Sequence, residues 1–317
     1  MKNKLIGVVG FKNHELKKFE QKYKHFKFLN IEDKNFFTKK NKDLKALLVL
    51  YERPVKNSLS KFLTKEYKFF KKLEWLHLSR AGIDECLPHL KNYKFKFTSG
   101  KKIQGPNVSE HCMCLLLALT RGLFSEYHKT NFLRPTEIKD KKVLIFGLGG
   151  IGLEIARKIN SFGAEIYSVN NKNVKFKKVL KNYSLKQSKK IIKNFDIIIN
   201  ALPYTLKTKN FFNKTFFSKM KKKSFFINIS RDQTINVEDL KKFIKLKKFS
   251  GVAIDNTGSF KMKNKVFYDK KSNFILTDHL AGVSTNLERR KNLIFKNIDN
   301  YYKKRKLYFE VSKLKQY

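Results

Sequence analysis

KVLIFGLGGIGLEIARKINSFGAEIYSVNN, residues 142–171, is the stretch on which the fold turns. Its apolar run 143–146 is too short for a helix and has the unbroken hydrophobicity of a strand buried on both faces, as parallel sheets require. Gly147, Gly149 and Gly152 follow at G-x-G-x-x-G spacing. Ile151, Ile155, Ala156 and Ile159 then recur at helical spacing, Gly163 stops the helix, and 165–169 reads as a second strand. Together these make one βαβ unit. Within it Gly147 permits a tight turn, Gly149 lets the backbone approach a pyrophosphate, and Gly152 lets helix and strand pack closely. Phosphates favour the start of such a helix, where free N–H groups and the dipole attract negative charge. In this context the motif predicts a dinucleotide site.

The chain of 317 residues is long enough for two domains, and its hydrophobic content of 41% is that of an ordinary globular protein. A net charge of +45 normally suggests nucleic acid or an anionic membrane. Here the excess is nearly all lysine, spread along the whole sequence with no Arg-rich tail, and Asn, Phe and Ile are also abundant. That is the imprint of an A/T-rich coding sequence, so no nucleic-acid partner is expected. Cys86, Cys112 and Cys114 form no paired framework and lack metal-ligand spacing, which fits a reduced cytoplasm, a helix-interior reading for Cys112 and Cys114, and no metal. The lysines before the apolar run at the N-terminus mimic a signal peptide, but the run soon meets Lys12, Asn13 and His14 and reads better as a strand. The apolar run 112–119 is far too short to cross a bilayer.

Residues 1–100 alternate strands (5–9, 26–31, 44–50, 75–78, 95–98) with helices (15–23, 59–73), the pattern of an α/β domain. Ser79-Arg80-Ala81-Gly82-Ile83-Asp84 leaves a strand at its C-terminal end, where open α/β sheets hold ligands. From Gly105, Pro106 and Asn107 read as breakers before a helix over 108–122 whose apolar middle predicts burial all round, between domains or subunits. Beyond residue 171, strands at 196–200, 224–229, 252–254 and 274–276 end in Ala201-Leu202-Pro203, Ser230-Arg231-Asp232, Asp255-Asn256 and Thr277-Asp278-His279. Helices fall around Phe216, Phe217 and Met220 and over 237–246. Polar residues at successive strand ends predict an active site on one sheet edge.

Over nearly its whole length the sequence resembles the D-isomer-specific 2-hydroxyacid dehydrogenases. The likeness lies in the glycine fingerprint, in GPNVSEHCMCLLLAL, similar to the family's interdomain helix, in NALPYTLKTKNFFNKTFFSKMKKKSFFINISRD and NFILTDHLAG, and in the terminal YFEVSKLKQY, which looks like a closing strand. The resemblance implies an α/β protein: a Rossmann-type doubly wound cofactor domain over 101–282, and a smaller flavodoxin-like substrate domain over 1–100 completed by 283–317. It also implies a homodimer. By position it places Gly150 and Ile151 along the pyrophosphate, and Leu202, Pro203 and Thr208 on the nicotinamide side. Ile229 and Ser230 fall beside the ring, Asp255 accepts from the carboxamide, and the Ala81 and Gly82 N–H groups meet the substrate carboxylate.

Reduction of a 2-keto acid needs a cation for the carboxylate and a proton donor for the carbonyl oxygen. Arg231 suits the first role through its planar fork, and His279 the second, because an imidazole exchanges a proton near neutrality. Two departures stand out. Phe260 occupies the position where the family carries a glutamate paired with the histidine, and Asp278 is the neighbouring acid, although adjacent strand residues point to opposite faces. Asn170, followed by Asn171 and Lys172, replaces the aspartate that binds the ribose hydroxyls of NAD, which favours NADP over NAD. The expectation is a cytoplasmic NAD(P)-dependent reductase of a small anionic 2-keto acid, glyoxylate- or hydroxypyruvate-like. The alternative is a catalytically weak dinucleotide-binding or regulatory protein on the same scaffold.

Overall fold

The structure, a computed structural model, describes residues 3–125, 134–171, 176–256, 258–261 and 264–313. The chain divides into two compact units, Met1–Ile103 with Thr285–Tyr317, and Gln104–Ser284.

In the first unit, β1 (Lys4–Val9), β2 (Phe26–Asn30), β3 (Ala46–Val49), β4 (Trp75–Leu78) and β5 (Lys96–Ser99) form a parallel sheet in the order β2-β1-β3-β4-β5. This is the flavodoxin-like order. Both faces are covered, so the central strands are apolar throughout. Ile6, Val8 and Trp75 pack with Leu16 of α1 (Asn13–Lys22) and with Ile294 and Ile298 of the C-terminal helix Glu288–Tyr302. Val9, Val49 and Leu76 pack with Leu59 of α2 (Lys56–Lys61) and with Phe62, Leu63 and Phe70. The helix expected over 59–73 begins earlier and ends sooner: α2 runs into a π turn, Phe62–Glu66, and a 3-10 turn, Tyr67–Phe69. Phe70 and Leu73 are buried from beyond that end, so the apolar spacing outlasts the helix. A polar chain is sealed inside this sheet: Trp75 Nε1 donates to Thr98 Oγ1 at 2.8 Å, and His77 joins Thr98 Oγ1 through Nδ1 at 2.8 Å and Ser79 Oγ through Nε2 at 3.2 Å. Among the described residues, the expected closing strand is one antiparallel bridge, Glu310 to Thr98, with Phe309 at φ +54° breaking the extended run.

The second unit holds β6 (Lys142–Phe146), β7 (Glu165–Val169), β8 (Val179–Tyr183), β9 (Ile197–Asn200), β10 (Ser224–Asn228), β11 (Phe249–Asn256), β12 (Val266–Asp269) and β13 (Phe274–Asp278). Their order is β12-β13-β11-β10-β9-β6-β7-β8, parallel except for the β12–β13 pair. The order reverses at β6, the switch point where doubly wound sheets bind ligands. Alternation along β6 decides both cores. Val143 and Ile145 face α3 (Gly105–Thr120) and α4 (Gly150–Asn160), meeting Leu116, Leu119, Ile155 and Ile159. Leu144 and Phe146 belong to the opposite cluster, with Phe216 and Phe217 of α6 (Lys214–Lys219) and Leu240 of α7 (Val237–Lys245); α5 (Leu185–Ile191) precedes β9.

Pro106 and Asn107 are not breakers but lie in the first turn of α3, where a proline's missing N–H costs nothing. Cys112 and Cys114 both lie within α3, but in this single chain the helix is not buried all round: Glu110 and Cys114 are exposed. The edge strands β8 and β12 had no counterpart in the sequence reading. Among the described residues no helix is long and apolar enough to cross a membrane, and no cluster of His, Cys, Asp or Glu is arranged to hold a metal.

Candidate active site

The glycine turn is built as a cradle. Gly147 adopts φ +87°, and a Cβ there would lie 2.8 Å from the Ala201 carbonyl oxygen. A Cβ on Gly152 would lie 1.9 Å from the Gly147 oxygen, so helix and strand touch through backbone alone. Around Gly149 the reverse holds: it caps α4 in an extended conformation and has open space on its side-chain side. Among the described residues the N–H groups of Gly149, Gly150 and Ile151 have no acceptor, as the first turn of a helix requires. Leu148 N–H instead donates to Asn170 Oδ1 at 3.3 Å. Asn170, at the end of β7, thus braces the loop. Lys172 lies outside the described residues.

The register carries the rest to the same edge. Phe146, Asn200, Asn228, Ile254 and Leu276 form one row across β6, β9, β10, β11 and β13. One residue further on stand Gly147, Ala201, Ile229, Asp255 and Thr277; Arg231 lies two residues beyond Ile229, and His279 two beyond Thr277. Ile229 and Ser230 are nearly buried, and Ser230 Oγ donates to the Leu202 carbonyl. Two asparagines that the sequence reading passed over hold this corner. Asn200 Nδ2 donates to Asn228 Oδ1 at 2.7 Å and to Thr234 Oγ1 at 2.8 Å, while its Oδ1 accepts from Leu202 N–H at 3.1 Å. Thr234 Oγ1 returns to the Arg231 carbonyl at 2.6 Å, and buried Asp232 accepts from Ser259 N–H at 3.0 Å. Leu202-Pro203 and Ser230-Arg231 are therefore fixed to each other through side chains.

Thr208 is turned inward. It is 5% exposed, and its hydroxyl donates to the Pro203 carbonyl and accepts from Thr205 N–H, both at 2.8 Å, closing its own loop. Asp255 is likewise occupied by the protein. It accepts from Thr277 Oγ1 at 2.7 Å, Leu280 N–H at 2.8 Å and Ala281 N–H at 3.2 Å, three of the roughly four lone-pair positions of a carboxylate. Two of these three bonds tie it to the loop after His279.

His279 sits at φ +53°, a left-handed conformation that histidine adopts more readily than most residues. The residue is exposed, yet the protein around the ring, followed by the Arg231 charge, draws its pKa below the usual 6.5, against weaker upward pulls from Asp255, Asp232 and Asp278. Among the described residues no carboxylate is hydrogen-bonded or ion-paired to it. Asp278 turns instead to Lys265 at 2.9 Å. Phe260 is packed against Phe274, with ring centroids 6.1 Å apart, in the apolar cluster on the sheet's other face. In the first unit, the loop after β4 is anchored by Arg80, which pairs with Glu52 at 2.9 Å and with Glu85. The N–H groups of Ala81 and Gly82 in that loop have no acceptor among the described residues.

Residues 114–281 match the family described as D-isomer specific 2-hydroxyacid dehydrogenase, NAD binding domain. The chain belongs to that family. A D-isomer specific 2-hydroxyacid dehydrogenase family protein from Aeromonas salmonicida superposes with a TM-score of 0.78 at 20% identity, covering 99% of this chain and all of the other. The NADPH-dependent glyoxylate/hydroxypyruvate reductase of Sinorhizobium meliloti, solved with NADP and sulfate, gives 0.78 at 18% identity with both chains covered in full. At those identities the likeness shows the fold. In sequence, the glyoxylate reductase of Thermofilum pendens is 26% identical over 195 residues, 58% of this chain and 58% of that relative. The matched stretch thus spans little more than half of that reductase. The residues of this chain fit the family's dinucleotide: three acceptorless N–H groups, an open side at Gly149 and a helix packed too tightly at Gly152 for any side chain.

Proposed function

We propose that the protein is an NAD(P)-dependent reductase of a small 2-keto acid, such as glyoxylate or hydroxypyruvate, yielding the D-2-hydroxy acid. The observation that carries this reading is that the phosphate cradle at residues 147–152 and the segments carrying Arg231 and His279 all leave the same edge of one sheet, where the Arg231 charge acts on His279. The N–H groups of Gly149, Gly150 and Ile151 would take the pyrophosphate, and Leu202, Pro203, Ile229 and Ser230 would flank the nicotinamide. When bound, the reduced dinucleotide supplies the hydride. Arg231 pairs with the substrate carboxylate and fixes the keto carbon in one orientation. His279 holds the proton that passes to the carbonyl oxygen. The acceptorless Ala81 and Gly82 N–H groups are donors of the kind a carboxylate takes.

NADP is the favoured form. Asn170 carries no charge to repel a 2′-phosphate, and the Sinorhizobium meliloti reductase was solved with NADP. A homodimer belongs to the same proposal, supported by exposed Leu123 and by Val266, Phe267 and Tyr268 on β12; sedimentation measures it. The unpaired cysteines support a reducing cytoplasm.

The test is oxidation of NADPH and of NADH with a panel of 2-keto acids, for the wild type, Arg231→Ala and His279→Gln. Arg231→Ala should raise KM by about a hundredfold, the loss of one bidentate charge pair, and His279→Gln should lower kcat by about a hundredfold or more. Tight cofactor binding without turnover of any substrate would refute the reductase and leave a dinucleotide-binding regulator, the outcome that Phe260 favours.

A further inference from the structure

Behind the loop that carries His279, side chains from three elements form a continuous hydrogen-bonded row. His111 Nε2, on α3, lies 2.9 Å from Thr277 Oγ1 near the end of β13. Thr277 donates to Asp255 Oδ1, on neighbouring β11, at 2.7 Å. The same carboxylate accepts the N–H groups of Leu280 and Ala281, and Asn107, one turn before His111 on α3, donates to the Ala281 carbonyl at 2.9 Å. After His279, Leu280 is therefore held by its N–H, and Ala281 by both its N–H and its carbonyl.

The direction of the row is determined. A threonine hydroxyl has one hydrogen, and Thr277 gives it to Asp255, so Thr277 accepts from His111. His111 thus presents Nε2–H. Burial outweighs the pull of Asp255 and keeps its pKa below 6.5, so the ring is neutral at neutral pH. A histidine and a threonine are costly choices between an apolar helix and a sheet, since each buried polar group must find a partner. Here they aim a carboxylate. What needs aiming is evident at His279, whose left-handed φ of +53° is a conformation that persists only where the surroundings hold it.

We propose that His111 and Thr277 are positioning residues for His279, acting through the Asp255 carboxylate on the Leu280 and Ala281 peptides; the proposal rests on the reading of His279 as proton donor. Their effect is exerted through Asp255 and the loop, not on substrate or cofactor directly. With the Thr277 hydroxyl removed, Asp255 loses a donor and His111 its acceptor, and the loop is released at the one point where the proton must be delivered. Binding of the substrate carboxylate, which falls to Arg231 in the segment after β10, is left alone.

The test compares Thr277→Val, Thr277→Ser and His111→Gln in the full chain by two measurements: amide hydrogen exchange in peptides containing Leu280 and Ala281, and kcat and KM for NADPH-dependent glyoxylate reduction. Loss of one net hydrogen bond predicts exchange about tenfold faster and kcat about tenfold lower in Thr277→Val, with KM changed by less than about twofold. Thr277→Ser, which keeps the hydroxyl, and His111→Gln, which keeps an N–H donor, should stay within about threefold of the wild type on both. Wild-type exchange in Thr277→Val, an equal defect in Thr277→Ser, or a change confined to KM would overturn the proposal. If the wild type reduces no 2-keto acid, the reductase reading fails by itself and the exchange comparison still decides the clamp.

Discussion

A methyl group placed on Gly149 and, separately, on Gly152 separates ligand binding from folding within one turn. At Gly152 the added Cβ would sit 1.9 Å from the Gly147 oxygen, 3.0 Å from its carbonyl carbon and 3.5 Å from Ile145 Cγ2. The first obstacle is backbone and cannot swing aside, so α4 must lift off β6 by more than an ångström. That places Gly152→Ala at or above the upper end of the usual overpacking cost, about 3 kcal/mol, or a fall in melting temperature of about 6–12 °C for a unit of this size. At Gly149 the same methyl meets nothing within 4 Å, and its φ of −76° is open to any residue. Exchanging glycine for alanine at an N-cap costs only about 0.5–1 kcal/mol, so the cofactor-free protein should melt within about 4 °C of wild type. The methyl does enter the space over which a pyrophosphate reaches three N–H groups. Each hydrogen bond to a charged group is worth about 1.5–3 kcal/mol, so the loss of one raises the dissociation constant for NADPH by about 10–100-fold. Calorimetric titration and thermal unfolding followed by circular dichroism measure the two quantities. Wild-type cofactor affinity in Gly149→Ala would remove the cradle from the mechanism.

The remaining predictions concern protons. Because His279 has its pKa drawn below 6.5 by burial and Arg231, the protonated donor accumulates only as pH falls through that lowered value; kcat/KM for keto-acid reduction should rise toward acid, and a rate level from pH 6 to pH 9 would contradict the donor role. The reverse reaction, which needs the neutral ring, should gain toward neutral pH and level off above it. Buried His77, pushed down to about 3, binds no proton in the folded state where the unfolded chain does. Its contribution to stability is present above about pH 6.5 and lost as pH falls toward 3, at roughly 1.4 kcal/mol per pH unit. Urea unfolding should therefore show a loss of about 2 kcal/mol between pH 7 and pH 5, to which His111 and His279 add with the same sign. An unfolding free energy flat over that interval would show that His77 is not sealed from water.

The dinucleotide unit was legible because its signals are local. Glycine spacing, an apolar run and helical periodicity all fall within residues 142–171, and the parallel strands are too apolar to be anything else. The edge strands were illegible for the converse reason. Val179–Tyr183 reads VLKNY and Val266–Asp269 reads VFYD, and an edge strand with solvent on one side need not be apolar or alternate strictly. At the site, the positions of Arg231 and His279 at strand ends could be read from the pattern, but not the side chains that orient them. Asn200 and Asn228 had left a trace, each closing an apolar strand (IIIN and SFFIN) with an amide that had to be satisfied inside. His111 left none, since a histidine in an apolar helix has the same spacing whether it packs or donates. Thr208 and Asp255 were assigned outward-facing roles from position alone, and only their hydrogen bonds reveal that their polar atoms are engaged by the protein.

The polar chain within the first sheet gives the molecule a built-in optical probe. Trp75 is the single tryptophan of the sequence, is 1% exposed, and lies with its ring centroid 6.4 Å from that of His77. Intrinsic emission excited at the red edge of the indole band therefore watches the first unit by itself, while peptide ellipticity sums over both. Superimposable denaturation curves from the two signals would mean that the units unfold as one cooperative block. Separated curves would order them, and an early emission change on acidification would identify the sheet around His77 as the part of the fold that yields first.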